Sequence, residues 1–260
     1  MSRQKHIRKV LVIGMIEQVN DGEFSLVMKL QPKWTDEENQ EKLGKPFNVE
    51  VFFDNDIVDK YKSLLKTGQI IQVEGSLKNY RWQESDGMKK KRIVINIGKY
   101  DSSVAVLAIK KEADMPYLNK VFLLGSCFKA NIRATQDGRL MGIFPLLTKK
   151  TYKDRNTGEI VENDEWLDVF IFNEMLLKNY QLGEVTMENK LIFIEGQLQA
   201  SNNMADMKNN ITVTKKSDNK FFVIDTVKTP SREGEEHGSN QNTNYKNPSM
   251  DINLDDDLPF

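Results

Sequence analysis

Ile70-Ile-Gln-Val-Glu-Gly-Ser-Leu77 returns as Leu191-Ile-Phe-Ile-Glu-Gly-Gln-Leu198, with the Glu-Gly pair at the same place in each. Two more pieces return in the same order. Val10-Leu-Val-Ile-Gly14 comes back as Val121-Phe-Leu-Leu-Gly125, and the apolar strand ending at Phe53 as the one ending at Phe172. The offsets are 111, 119 and 121 residues (Gly14 to Gly125, Phe53 to Phe172, Gly75 to Gly196), so the chain carries an internal duplication with loop insertions. Each copy reads as short β-rich runs interrupted once by a helix, between the third and fourth strands. In the first copy Ile57, Val58, Tyr61, Leu64 and Leu65 recur at helical spacing, after Asp54 and Asp56 and before Gly68. Met175 to Leu182, stopped by Gly183, is the looser counterpart in the second. Gly14 and Gly125 sit late in a first strand, where a glycine lets the strand bulge and bend between two sheets.

Five strands and one helix in this order predict an all-β protein with one short helix per repeat, built as two tandem OB-fold five-stranded barrels. A tandem sandwich is the alternative, which neither the helix nor an intracellular setting favours. The expected boundaries are a first barrel at 1–108, a linker at 109–118, a second barrel at 119–227 and a disordered tail at 228–260. Two cores of about 100 residues are feasible for this length. Cys127 is the single cysteine, which excludes an intrachain disulfide, and no apolar run approaches the roughly 18 residues of a membrane span. The basic start MSRQKHIRKV leads into an apolar run too short for a signal peptide. These features predict a soluble, cytoplasmic protein.

The formal net charge of −1 divides unevenly. From Lys228 onward three cations face seven carboxylates, a net −4, which leaves 34 cations against 31 acids, or +3, for the rest. A mildly basic body with an acidic tether fits a polyanion binder and shifts the odds little by itself. The tether is Gly, Ser, Asn, Pro and charge, too polar for burial to offset the entropy of ordering it. Its last residues, Asp255, Asp256, Asp257, Leu258, Pro259 and Phe260, read as a ligand for a basic, apolar pocket on another protein. A solubilising tail that ends in Phe is the alternative.

That ending resembles the C-terminal tip of bacterial single-stranded DNA-binding proteins, and the second copy is similar to their core. Asn119 to Gly125 resembles the family's opening strand, Tyr152 to Glu159 its second-to-third strand hairpin, Glu165-Trp166 the start of its third strand, and Ile194 to Leu198 its fourth. In the first copy Val73 to Leu77, followed by Tyr80-Arg81-Trp82 and Asp86-Gly87, looks like the family's fourth-to-fifth strand hairpin. The resemblance implies non-specific binding of single-stranded DNA in replication, recombination and repair, at the nucleoid or replication fork. It further implies capture of helicases, nucleases or primosome proteins by the tip, and a homodimer, since two-barrel relatives pair where one-barrel relatives form tetramers.

Sequence-tolerant binding of a single strand needs flat apolar faces for bases and cations for phosphates. In the second copy Leu167, Val169 and Ile171 alternate as a core face, which turns Trp166, Asp168, Phe170 and Phe172 outward. Trp166 and Phe172 match stacking positions of the family, as does Tyr152, which lies beside Lys153 and Arg155 in a basic hairpin. In the first copy Lys78, Tyr80 and Trp82 share a strand face across from Lys89 to Arg92. Trp34 lies in the polar stretch QPKWTDEENQ and corresponds to Tyr152. Phe47 and Phe53 share parity with Val49 and Val51 and read as core, leaving Phe52 outward, although either register is possible. Any single aromatic in a β-barrel is often a core filler. The position matching Trp82 in the second copy is Asn203, which should grip a base less well.

No enzyme is expected. His6 and His237 lie at opposite ends in segments expected to be mobile, Cys127 reads as a buried thiol, and no phosphate loop, nucleophile motif or metal set can be assembled, so no cofactor or metal is predicted. An OB-fold adaptor, such as a recombination mediator or primosome component acting through protein contacts, is the alternative function. It would not need three tryptophans in exposed contexts.

Overall fold

The computed structural model describes residues 6–22, 24–36, 38–83, 87, 89–99, 102–135, 138–153, 158–184, 186–200, 209–213 and 221–224, with 81–82, 89–91, 150–153, 162, 200, 209–213 and 221–224 described by their backbone alone. The tail from Lys228, with Asp255 to Phe260, lies outside the described residues, as do Arg155, Asn203 and His237.

The first copy runs β1 (Ile7–Asn20), β2 (Ser25–Leu30), a small hairpin of β3 (Lys33–Thr35) and β4 (Glu41–Leu43), β5 (Phe47–Phe53), α1 (Val58–Lys62), β6 (Ile70–Gln83), β7 (Lys89–Ile97) and β8 (Ser103–Val106). Antiparallel pairing joins β1 to β2 and β6, β2 to β5, and β6 to β7, and a parallel pairing of β5 with β7, Val51 opposite Ile95, closes the barrel. The second copy repeats the circuit with β9 (Asn119–Cys127), β10 (Asn131–Ala134), β11 (Leu140–Lys153), β12 (Ile160–Ile171), α2 (Glu174–Gln181), β13 (Leu191–Ala200), β14 (Asn209–Val213) and β15 (Phe221–Ile224). Its parallel closure sets Val169 of β12 opposite Ile211 of β14. These are two OB-fold barrels, each with a short helix after its third barrel strand and with extra strands outside the five.

The registers place the repeat residue by residue. Val10 faces Gly75 and Gly14 faces Ile71 in one barrel, as Val121 faces Gly196 and Gly125 faces Ile192 in the other. At the parallel closures Phe53 faces Ile97 and Ile171 faces Val213, so Phe53 corresponds to Ile171. The expected match of Phe53 with Phe172 is therefore one residue out. At Gly14 an added Cβ would lie 2.6 Å from the Lys29 carbonyl oxygen, and at Gly125 2.8 Å from that of Leu147. Close approach of the second strand fixes both glycines.

Each barrel is filled by the inward residues of its strands and plugged by its helix. Ile57, Tyr61 and Leu65 are buried, whereas Leu64 is exposed, so the helical stripe is narrower than its spacing predicts. In the second copy Leu177 is the fully buried residue of α2, seated against Gly142, with Leu176 and Tyr180 packed beside it. Among the described residues no helix is long and apolar enough to cross a membrane.

The two barrels share one ladder. β1 pairs antiparallel with β9 from Ile7 opposite Leu124 to Val12 opposite Asn119, with Val10 opposite Val121. Those two valines occupy the same place in the repeat, so the copies meet about a two-fold-like axis within one chain. The connecting residues fold back on the first barrel: Met115 is buried with Ile13 and Ile70, and the Ile13 N–H donates to the Leu118 carbonyl at 2.9 Å.

His6, expected to be mobile, is instead held at this junction, its Nδ1 accepting from the Lys149 N–H at 2.8 Å. Burial first, and the Lys149 ammonium second, lower its pKa below the ordinary value, outweighing the Leu147 backbone and Asp164. A histidine kept neutral by the fold stabilises it above its unfolded pKa, and that contribution is lost as pH falls through the lowered folded value. Chemical denaturation should find His6→Ala less stable than wild type by about 1 kcal/mol at pH 8. The difference should shrink towards pH 5.

Candidate nucleic-acid interface

Alternation along β6 builds the first surface. Leu77 and Asn79 are buried while Lys78 is exposed and Tyr80 half-buried, so Lys78, Tyr80 and the backbone position of Trp82 share the outer face. Phe52, between the buried Val51 and Phe53, also points outward, and its ring stacks on Tyr80 with centroids 5.1 Å apart and planes 16° apart. This is the expected register for Phe52, with Phe47 packed against the core. Opposite Tyr80 on β7 stands Arg92, its guanidinium carbon 5.3 Å from the Tyr80 ring centroid and an Nη 2.5 Å from a Glu50 carboxylate oxygen. Burial pushes the Glu50 carboxyl above its ordinary pKa, and Arg92 partly opposes this. The result is a ring pair flanked by Lys78 and a clamped arginine, on the strand that leads to Trp82 opposite Lys90.

Trp34 is 42 % exposed on β3, opposite Lys42, with its ring close over Gly44. It belongs to the small hairpin inserted between the second and third barrel strands, whose counterpart in the second copy is the extension of β11 and β12. There Tyr152 faces Val161 and Lys153 faces Ile160, and their side chains lie outside the described set.

On β12 the core face is as expected, with Leu167, Val169 and Ile171 fully buried and Trp166 40 % exposed. Phe170 departs from the expectation. It shares the outward parity but is buried, so it offers no free ring. Phe172 is half-buried just past the strand, next to Asn173, whose side chain caps α2 by accepting from the Leu176 N–H at 3.1 Å. Phe128, which sequence reasoning passed over, is 37 % exposed, and its ring centroid lies 4.6 Å from that of Trp166. Its place immediately after buried Cys127 was the available signal, because β9 alternates inward and outward and the residue after an inward one turns out of the barrel.

The two surfaces are tied together across the barrel junction. Asn79, between Lys78 and Tyr80, donates from its backbone N–H to the Glu165 carboxylate at 2.9 Å and from its side chain to the Trp166 carbonyl. Arg8 reaches the same carboxylate at 3.7 Å and donates to Asn163 Oδ1 at 2.8 Å. Arg8, Glu165 and Asn79 are all largely buried, so the junction holds a polar cluster between the barrels.

Burial pushes the Cys127 thiol up to about 12, so it stays protonated and poorly nucleophilic. Among the described residues there is no group of three His, Cys, Asp or Glu side chains placed to hold a metal ion.

Known proteins share this architecture. Residues 118–221 match the Single-strand binding protein family. The Single-stranded DNA-binding protein of Rickettsia typhi is 34 % identical over 150 residues, covering 55 % of this chain and 97 % of the relative. That of Rhizobium meliloti is 41 % identical over 83 residues, covering 32 % of this chain and 47 % of the relative. The crystal structure of the wild-type single-stranded DNA binding protein from Thermus aquaticus superposes with a TM-score of 0.57 at 19 % identity, covering 89 % of this chain and 98 % of that one, and supports the fold. The chain belongs to the single-stranded DNA-binding protein family.

Proposed function

We propose that this protein binds single-stranded DNA with little sequence preference, acting in replication, recombination and repair. The observation that carries the reading is the same in both barrels: an aromatic ring stands on the solvent face of a strand whose other face is core. In the first copy Tyr80 stacked on Phe52, with Trp82 further along β6 and Trp34 on its hairpin, offers flat faces to bases. In the second, Trp166, Phe172 and Tyr152 do so. Lys78 in the first copy, with Lys153 and Arg155 in the second, meets phosphates, which adds a salt-dependent component. Duplex DNA hides its base faces and is bound poorly. Residues 1–108 and 119–227 are the two binding units, and two chains pair through them as a homodimer in the cytoplasm.

Titration of the full chain with oligo(dT) should quench Trp fluorescence far more strongly than titration with duplex of the same length. Tyr80→Ala and Trp166→Ala should each weaken binding by about 1 to 3 kcal/mol without loss of thermal stability, the scale of one base–aromatic stack. Equal affinity for duplex and single strands would contradict the reading.

The reading extends to the tip on the strength of its resemblance alone. Phe260 fills an apolar pocket on a helicase, nuclease or primosome protein, Leu258 and Pro259 pack at its mouth, and Asp255, Asp256 and Asp257 steer along a basic rim. Deleting Phe260 should abolish capture of such partners while leaving oligo(dT) affinity nearly unchanged. Retention of the same partners by the truncated chain would leave the tip as a solubilising end.

A further inference from the structure

The barrels place equivalent residues in equivalent contacts, and at one spot their chemistry diverges. In the second copy Leu147 of β11 faces Trp166 of β12 and Ser126 of β9, and Phe128 closes on the Trp166 ring. In the first copy the same three-strand place is Lys29 facing Asn48 and Met15, and the residue in the Phe128 position is Glu17. The contact itself is kept: Asn48 Nδ2 donates to Glu17 Oε2 at 2.8 Å where Phe128 meets Trp166. Lys29 lies 3.8 Å from Glu17 and 2.8 Å from Glu112, so its charge is already met by two carboxylates.

The second copy thus carries an exposed two-ring surface where the first carries a charged, hydrogen-bonded one. The two rings, 4.6 Å apart and inclined at 54°, do not stack flat on each other, so each keeps a face available. The backbone beneath Phe128 is fixed, because its N–H donates to the Pro145 carbonyl at 3.0 Å. Lys129 follows directly and is exposed, a cation beside the rings.

We propose that Phe128 is itself a nucleobase-stacking residue, forming with Trp166 a two-ring platform for unpaired bases that exists in the second barrel only. This rests on the single-stranded DNA reading above. The corresponding place in the first barrel, with Glu17 and Glu112 beside Asn48, presents carboxylates to a phosphate backbone and takes no base. The chain therefore grips a strand asymmetrically, through β6 and β7 in one copy and through the platform in the other.

The test uses the full chain, oligo(dT), and oligonucleotides carrying 5-iododeoxyuridine for photocrosslinking. Phe128→Ala should weaken oligo(dT) binding about ten-fold, within the range of one lost stack, with an unchanged melting temperature. Phe128→Tyr should retain affinity, Phe128→Leu should not, and Asn48→Ala should leave binding unchanged. A double-mutant cycle separates stacking from buttressing: if Phe128 contacts DNA itself, Phe128→Ala still weakens binding in a Trp166→Ala background, whereas a ring that only props Trp166 has no effect there. Crosslinks should map to Phe128 as well as Trp166. Oligo(dT) binding by the wild type with no loss in Phe128→Ala, or a loss that disappears in the Trp166→Ala background, overturns this inference and leaves the general reading standing. Failure of the wild type to bind oligo(dT) overturns both.

Discussion

The antiparallel ladder between β1 and β9 is the constraint from which the rest of the arrangement follows. Each of these strands already closes its own barrel on one side, through β6 and through β13, so pairing them makes one continuous sheet through both cores. A register in which Val10 meets Val121 makes equivalent residues meet equivalent residues. It also satisfies strand edges that would otherwise expose rows of backbone donors and acceptors. With the axis set, the third strand of the second barrel must lie against the fourth of the first. There Glu165 collects the Arg8 guanidinium and the Asn79 N–H, and Asn79 takes the Trp166 carbonyl. A buried charge is costly without partners, so the contacts of Glu165 with Arg8 and Asn79 favour one relative placement of the barrels over its neighbours.

Duplication within one chain frees each copy to diverge, and the surfaces record it. The pair Lys9 with Glu74 across β1 and β6 is repeated as Lys120 with Glu195 across β9 and β13, so the strand pairs flanking the shared ladder kept the same ion pair. Away from the ladder the copies differ: a ring pair on the third and fourth strands with a clamped arginine on the fifth in one, a tryptophan and a phenylalanine on the third-strand side of the other. A homo-oligomer of single barrels cannot make such an assignment, because every barrel carries the same residues.

Much of this was legible in the sequence. Repeated Glu-Gly and terminal-Gly strands located both barrels, and Gly14, Gly75 and Gly125 each sit where another backbone leaves no room for a Cβ. Outward placement of Tyr80, Trp166 and Phe52 followed from the period-two alternation around them. The failures have separate causes. Matching Phe53 to Phe172 compared residue types where register is what matters, and in a pleated strand a slip of one residue exchanges the two faces. Phe170 was assigned outward by parity alone, which says nothing about what covers a face. His6 was judged by its nearness to the chain start, whereas its partner Lys149 is distant in sequence and brought near only by the β1–β9 ladder. Phe128 is passed over in the sequence, although alternation along β9 turns the residue after inward Cys127 outward.

Hydrogen–deuterium exchange of the full chain with and without saturating oligo(dT) tests the central claim most directly, that one chain presents two unlike surfaces joined across the ladder as a single binding path. The account predicts slowed exchange on binding in β6 and β7 around Lys78 to Arg92 and, in the same complex, around Phe128, Leu147 and Trp166. The β1–β9 ladder should already be slow in the free protein and stay so. Protection confined to one barrel, or equal protection at Glu17 and Asn48 as at Phe128 and Trp166, would contradict it.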